Sequence, residues 1–453
     1  MARDRAGGGG RMTGTAMAAP QTTGAFATVL ETAATAPAPA LLQALRGRGR
    51  IRFESLGLPA RSQEAWRFTR LSALEEMRFE PPPVLPSRVD VSAWKRAGVP
   101  ALVFIDGVFS PDLSETEGLP DGLVVSNLLL AAAVESELVT RHLGSLAGLD
   151  DHPFAALNAA VLSDGAVISV PPRLEVEGPI QLLFVTGPSE RPTVCAPRVL
   201  VVAGEASSVT VEEHHIGSGG AALSCPVGEI VVGPHAAVRH IVVQDESRQT
   251  HHLASRHVSL ARAGRYAAQA VSLGGALART DIQVVLEGEG AEASLDGLSL
   301  TDGGQQAGSH ITVRHVAPHC QSHQLYKSVL AGSSRAVFNG RIVVAQDAQK
   351  TDATQSNRNL ILSDDAVANS NPQLEIFADD VRCTHGSTVG RLDEDAIFYL
   401  RSRGIGRTEA ERLLTIAFAG EILDRIPVED LRDGLRRRVE ARLADMQPSG
   451  ATA

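Results

Sequence analysis

From about Gly165 to about Leu392 the chain consists of short aliphatic runs, each closed by Gly, Pro or Asp. AVISVP, IQLLFVTG, RVLVVAGE, SVTVEEH, GEIVVG, VRHIVVQ, IQVVLEGEG and ITVRH follow one another with no helical segment between them. Strands this short, without intervening helices, exclude an α/β sheet. A turn of the form Gly-x-x-any-x-apolar recurs at Gly204, Gly233, Gly290 and Gly332, and Gly264 fits except at the last position. The successive spacings are 29, 31, 26 and 42 residues, which marks stacked supersecondary units. A sandwich has no reason to repeat one turn. A parallel β-helix, whose coils lie on one another, does. Aromatic residues make up only 4% and Gly numbers 42, as thin aliphatic coils with tight corners require. The expected fold is therefore mainly β, a parallel β-helix over residues 165–392.

Helical patterns flank this core. Residues 1–38 are rich in Gly, Ala, Thr and Pro and are expected to form a disordered tail. Residues 39–164 form a helical and αβ region. It holds helical stretches around 41–74, with a helix start near Ser62, a strand pair in ALVFIDGVF (101–109), one helix over 128–144 and another over 152–162. Helical periodicity returns in 393–453, where Thr408 and Glu411 have the spacing of a capping box. Leu413, Leu414, Ile416, Phe418 and Ile422 leave that helix apolar on most faces. Helices at both ends suit a solenoid that needs its ends covered, and one apolar on several sides also suits docking of another protein.

Composition excludes several functions. The formal charge is −10 and only three residues are Lys, so no general nucleic-acid-binding face is supplied. No phosphate loop, dinucleotide fingerprint, HExxH or GxSxG appears, which disfavours nucleotide and serine hydrolases. Four dispersed cysteines, without a CxxC pair, suggest a reducing compartment. No apolar run reaches a membrane span and no secretory signal is readable, so a cytoplasmic location is expected. Twelve of the 14 histidines lie between His214 and His385. The set His310, His315, His319, Cys320 and His323 spans both faces of a strand and a turn, and satisfied structural histidines are the better reading. Gln355, Asn357 and Asn359 suit an amide ladder stacked inside the coils. Asp379-Asp380 suits a solvated loop, and Asp393-Glu394-Asp395 a helix N-terminal charge. Cys383-Thr384-His385-Gly386 differs. If extended, a thiol and an imidazole share one face and could ligate one soft or borderline metal, while a buried thiol beside a surface imidazole fits equally. Two ligands make half a site, so more must come from elsewhere.

The run NPQLEIFADDVRCTHGSTVGRLDEDAIFYLRSRGIGRTEAERLLTIAFAGEIL (371–423) closely resembles the C-terminal signature of the SufB/SufD family, in its SufD form. VFNGRIVVAQDAQKTDATQSNRNLILS (337–363) and RSQEAWRFTRLSAL (61–74) resemble the same family. The resemblance covers roughly residues 40–446. It implies a right-handed β-helix that pairs with SufB through β-helix edges, and C-terminal helices that hold the SufC ATPase. It implies that Cys383 and His385 fall at the SufB–SufD interface, where a nascent iron–sulfur cluster, or iron, is shared with SufB. On that basis the chain is no enzyme itself. The family complex has been associated with reduced flavin, and no flavin motif is readable here. The alternatives are a self-associating SufB-like scaffold, a metal-binding scaffold that needs no partner, and, remotely, a polysaccharide-active β-helix enzyme.

Overall fold

A computed structural model describes residues 21–83, 89–134, 136–150, 152–217 and 219–446. Two long sheets of ten and eleven strands face each other. The chain alternates between them: Arg265–Ser272 lies in one sheet, Leu277–Leu286 in the other, and Glu292–Thr301 returns to the first. Each strand pairs in parallel with the strand one coil earlier, in unbroken register from Val227 to Gly390. This is the expected β-solenoid, of about eight turns, flanked by N- and C-terminal helices.

The corners explain the sequence repeat. One residue per coil adopts left-handed φ: Arg173, Ala206, His235, Ala263, Gly290, His319 and Lys350. The backbone N–H of each donates to the next coil, as in His235 to Arg262 O (2.8 Å), Ala263 to Glu289 O (2.9 Å) and His319 to Gln349 O (2.9 Å). The glycine turn seen in the sequence mixes positions of this corner with the opposite one. Gly204 and Gly233 precede the left-handed residue by two, Gly264 follows it, Gly290 occupies it, and Gly332 sits at the other corner. The true repeat is a conformation that Ala, His, Lys and Arg adopt here, because the inter-coil bond compensates the αL strain. Gly288 is required for a different reason: a Cβ there would lie 2.0 Å from Arg262 N.

Alternation along each strand fills the space between the sheets with one column of side chains per register position. The early and middle coils are aliphatic, with Ile180, Leu182, Val199, Val209, Val211, Ile230, Val238, Val258 and Val284 in one cluster. A charged island lies within it. Glu213 accepts from Arg256 (2.8 Å), contacts His215 Nε2 (2.6 Å) and His240 Nε2 (2.9 Å), and His240 Nδ1 reaches the Tyr266 hydroxyl (3.1 Å). Two neighbouring histidine pairs, His214-His215 and His251-His252, are split by the strand, with His215 and His252 in this interior and His214 and His251 facing out.

The N-terminal region lies on the outer face of one sheet. Pro153–Val161 packs beside the 40–56 helix, and Trp66 lies 3.5 Å beneath the Arg279 guanidinium, which also donates to Ala65 O (2.7 Å). The expected helix near Ser62 is only a turn, Glu64–Trp66. The 128–144 stretch is two helices, Leu128–Ala133 and Glu137–His142. The tail expected over 1–38 is ordered where described: Ala27–Thr35 is a helix, and Phe26 stacks on Phe79 (4.9 Å). Phe26, Val29 and Leu30 at helical spacing outweigh the Ala-rich composition; residues 1–20 lie outside the described residues. In the C-terminal region Gly406, not Thr408, caps the Arg407–Leu423 helix, and Glu411 bonds Arg407 instead (2.8 Å). This helix and Glu429–Asp445 pack on the side of the other sheet, not over its end. Among the described residues the expected C-terminal cap is therefore absent, and the strands Val367–Ile376 and Arg382–Gly390 each keep a free edge.

Gly288→Ala is expected to cost roughly 3 kcal/mol of stability, because overpacking against a fixed backbone has no relief; urea unfolding measures it, and a loss below about 1 kcal/mol would contradict the inter-coil packing. Acid should also destabilise the fold. Burial lowers His251, His257 and His315 to about 4 and His310 to about 3. Below pH about 6.5 the unfolded chain gains protons that these folded histidines refuse until the lowered values are reached. The melting temperature should therefore fall continuously from pH 6.5 to 4, and a flat profile over that span would contradict their burial as neutral rings.

Candidate functional site: the uncovered last coil

Cys383 stacks in register on Ala353 and Ser322, and His385 on Gln355 and Gln324. Both therefore face the interior column at the open end. Two residues apart on one strand face, they sit about 6.6 Å apart along the chain. Cys383 is half-buried against the cluster of Ile342, Val344 and Ala353, while His385 is exposed. Burial, with Asp352 nearby, pushes the Cys383 thiol up.

The floor beneath them is polar. Gln355 donates to Gln324 Oε1 (3.1 Å), Asn359 to Asn357 Oδ1 (2.7 Å) and to Thr388 O (3.1 Å), and Asn357 to Tyr326 O (3.3 Å). Gly340 on the facing sheet leaves room for this ladder, since a Cβ there would lie 2.2 Å from the Gln355 amide nitrogen. The rim is apolar: Phe377 is 64% exposed, Val389 52% and Ile376 40%. Lys350 and Asp380 form an ion pair across the corner, and Arg341 holds Glu375 through two bonds of 2.7 Å.

Among the described residues no group of three or more His, Cys, Asp and Glu is placed to hold a metal ion. Cys383 and His385 are thus brought to one face without a third ligand. The set His310, His315, His319, Cys320 and His323 is dispersed. His310 lies under the N-terminal region near Asp281, His315 bonds Ser322 Oγ (2.9 Å), His319 forms a corner, Cys320 contacts Gly288 O (3.3 Å) and His323 faces solvent. Asp393 caps the Glu394–Ser402 helix through Asp395 N (2.9 Å), in keeping with its charge reading.

The apolar helix 407–423 is divided. Ile422 is fully buried against the solenoid, and Ile416 and Phe418 pack on the same cluster, so these three are partly or wholly used within the chain. Leu413 is exposed and Leu414 half-buried. The sequence reading missed Phe398 and Tyr399, 71% and 56% exposed on the 394–402 helix, although IFYL at the start of an amphipathic helix carries that signal. It also missed Lys327. Its Nζ donates to Phe418 O (2.9 Å), lies 4.3 Å over the Phe418 ring and pairs with Glu421.

Iodoacetamide should label Cys383 alone in the native chain, with a rate still rising above pH 9. Cys195, Cys225 and Cys320 are buried, and burial pushes Cys195 up to about 12. Intact mass spectrometry reads this directly, and labelling of a second cysteine before Cys383 would contradict the placement.

Two regions match known families. Residues 26–182 match the SufBD protein N-terminal region, and residues 184–418 match the SufBD core domain of SUF system FeS cluster assembly. An iron–sulfur cluster assembly SufBD family protein of Synechocystis sp. is 36% identical, over 86% of this chain and 88% of its own. The iron–sulfur cluster assembly protein SufD of Escherichia coli is 33% identical, over 87% and 90%. SufD of Bacillus subtilis is 29% identical, over 73% and 76%. With the solenoid, its flanking helices and these matches across almost the whole described length, the chain belongs to the SufBD family of iron–sulfur cluster assembly proteins.

Proposed function

We propose that this chain is a SufD-type, non-catalytic subunit of a cytoplasmic cluster-assembly scaffold. Its open end pairs with a SufB-type solenoid, and its C-terminal helices hold a SufC-type ATPase. The observation that carries this reading is the uncovered last coil. It has two free strand edges, an apolar rim and a Cys–His pair with no third ligand among the described residues. Free edges recruit further strands, and a second solenoid stacked end to end supplies both strands and ligands. Iron and sulfide are the cargo there: thiolate is the natural ligand of a nascent cluster and imidazole a competent iron ligand. No flavin site enters this reading.

The helices give the ATPase a mechanical route to the site. Lys327 ties the 407–423 helix to one coil, and Arg358, in register with Lys327 one coil later, reaches Glu421 (3.3 Å). Arg358 in turn lies directly beneath Thr388 of the final strand. A pull on the helix therefore loads the two coils under Cys383 and His385. Leu413, Leu414, Phe398 and Tyr399 are the side chains left to meet the ATPase, whereas Ile422 is unavailable.

Anaerobic co-expression with SufB and SufC from the same source is expected to give a complex of one SufB, one of this chain and two SufC that acquires a brown chromophore. His385→Ala should leave the complex assembled and reduce cluster formation at least tenfold, with Cys383→Ala the milder lesion. Wild-type cluster formation in both variants would remove these residues from the site. A chain that elutes alone as a colourless homodimer would instead assign the open end to self-pairing.

A further inference from the structure

A second concave site lies away from the open end, where the outer face of the solenoid meets the last helix. Its cavity is about 190 Å³ and is bounded by Trp94, Arg96, His214, Asp430, Arg437 and Arg438, with apolar Leu431 and Leu435 behind. That is room for several waters, more than a lone ion needs. Most of its walls are already satisfied. Arg438 stacks 3.3 Å over the Trp94 ring, donates to Ala93 O (3.0 Å) and lies 3.7 Å from Asp245. Arg96 donates to Glu212 (2.5 Å) and lies 3.7 Å from Asp430.

Among the described residues His214 and Arg437 are left without partners, and so is the second oxygen of Glu212, which faces the His214 ring. His214 is only 2% exposed, yet neither ring nitrogen has a hydrogen-bond partner, and the nearest carboxylate oxygen, on Glu212, is 3.7 Å away. Its ring meets Trp94 edge-on at 6.0 Å, which holds the imidazole at the cavity wall. Arg437 lines the same cavity and makes no hydrogen bond or ion pair with any described residue. A buried imidazole left without partners is costly, and a cavity wall is the one place where a bound molecule can supply them.

We propose that this cleft binds a small organic oxyanion, a carboxylate or phosphate monoester with a flat or apolar body. The anionic oxygens take the free Arg437 guanidinium, which offers a planar fork suited to either group. An oxygen of the same molecule bonds His214, and the body lies along Trp94, Leu431 and Leu435. The charges facing the cavity favour an anion, since Arg96 is met by Glu212 and Asp430, Arg438 by Asp245, and Arg437 by no carboxylate.

Phenyl phosphate and phenylacetate test this on the full chain, at constant ionic strength, by calorimetry and by tryptophan fluorescence. Trp94 lines the cleft, while the only other tryptophan, Trp66, is buried under Arg279. Saturable binding is expected, weakened at least tenfold by Arg437→Ala and also by His214→Phe, which keeps the packing on Trp94. Arg436→Ala, on the same helix but paired with Asp424 outside the cleft, should leave it unchanged. No saturable binding of either probe, binding unaffected by Arg437→Ala, or equal loss in Arg436→Ala would overturn the assignment. Arg437 is exposed, so its variant folds and the outcome is readable.

Discussion

The backbone bond between successive corners is the constraint on which the molecule rests. Each left-handed corner residue gives its N–H to the coil ahead, from Arg173 to Lys350. This bond sets the rise of the solenoid at one strand spacing, which keeps every inward position above its counterpart. Vertical columns follow: valines on valines in the middle, amides on amides near the end. A one-residue slip would turn every column inside out. The charged island around Glu213 tolerates no such slip, because its partners come from four strands, carrying His215, His240, Arg256 and Tyr266. Replacing one partner would strand a buried charge.

The helices do not close the tube; they clamp its sides. On one side Arg279 is sandwiched between Trp66 and a two-bond pairing with Asp281. On the other, Lys327 and Arg425 tie the C-terminal helices to the sheet, the latter through Asp296 (2.8 Å). Cation–aromatic and ion-pair contacts thus sit at both seams where helix meets sheet, while aliphatic packing holds the coils themselves. This division leaves both strand edges of the terminal coil unpaired among the described residues, with Gln373 on its flank bonded to Glu64 (3.2 Å), and links the helix surface to the coils beneath that end through Lys327 and Arg358.

Much of this was legible in the sequence. The run of short aliphatic strands gives the solenoid, and the amide-rich stretch 346–366 gives the ladder, because both depend on local alternation. Cys383 and His385 share a face for the same reason. The corner periodicity was only half legible, since it resides in a backbone conformation that Ala263, His319 and Lys350 adopt as readily here as Gly290 does. The order at Phe26 was hidden by an Ala- and Thr-rich context, and its partners Phe53 and Phe79 are distant in sequence. The side placement of the C-terminal helices was not legible either. An apolar helix face looks the same whether it meets a sheet face, a solenoid end or another protein. Ile422 and Leu413, nine residues apart, lie on opposite faces of the helix, and the packing of Ala419, Ile422 and Leu423 on the sheet, with Lys327 bonded at Phe418 O, turns Ile422 inward.

The amide ladder under the last coil has a consequence for hydration. An end floored with leucine would have to stay covered or collapse on whatever it met. Gln324, Gln355, Asn357 and Asn359 can exchange their mutual bonds for bonds to water at little net cost. The end can therefore stand wet without unravelling, and a docking surface must displace ordered water and match donors to acceptors to gain anything there. Such a junction opens and recloses without exposing a large apolar area, and its selectivity lies in hydrogen-bond pattern, with only the rim of Phe377 and Val389 adding grip.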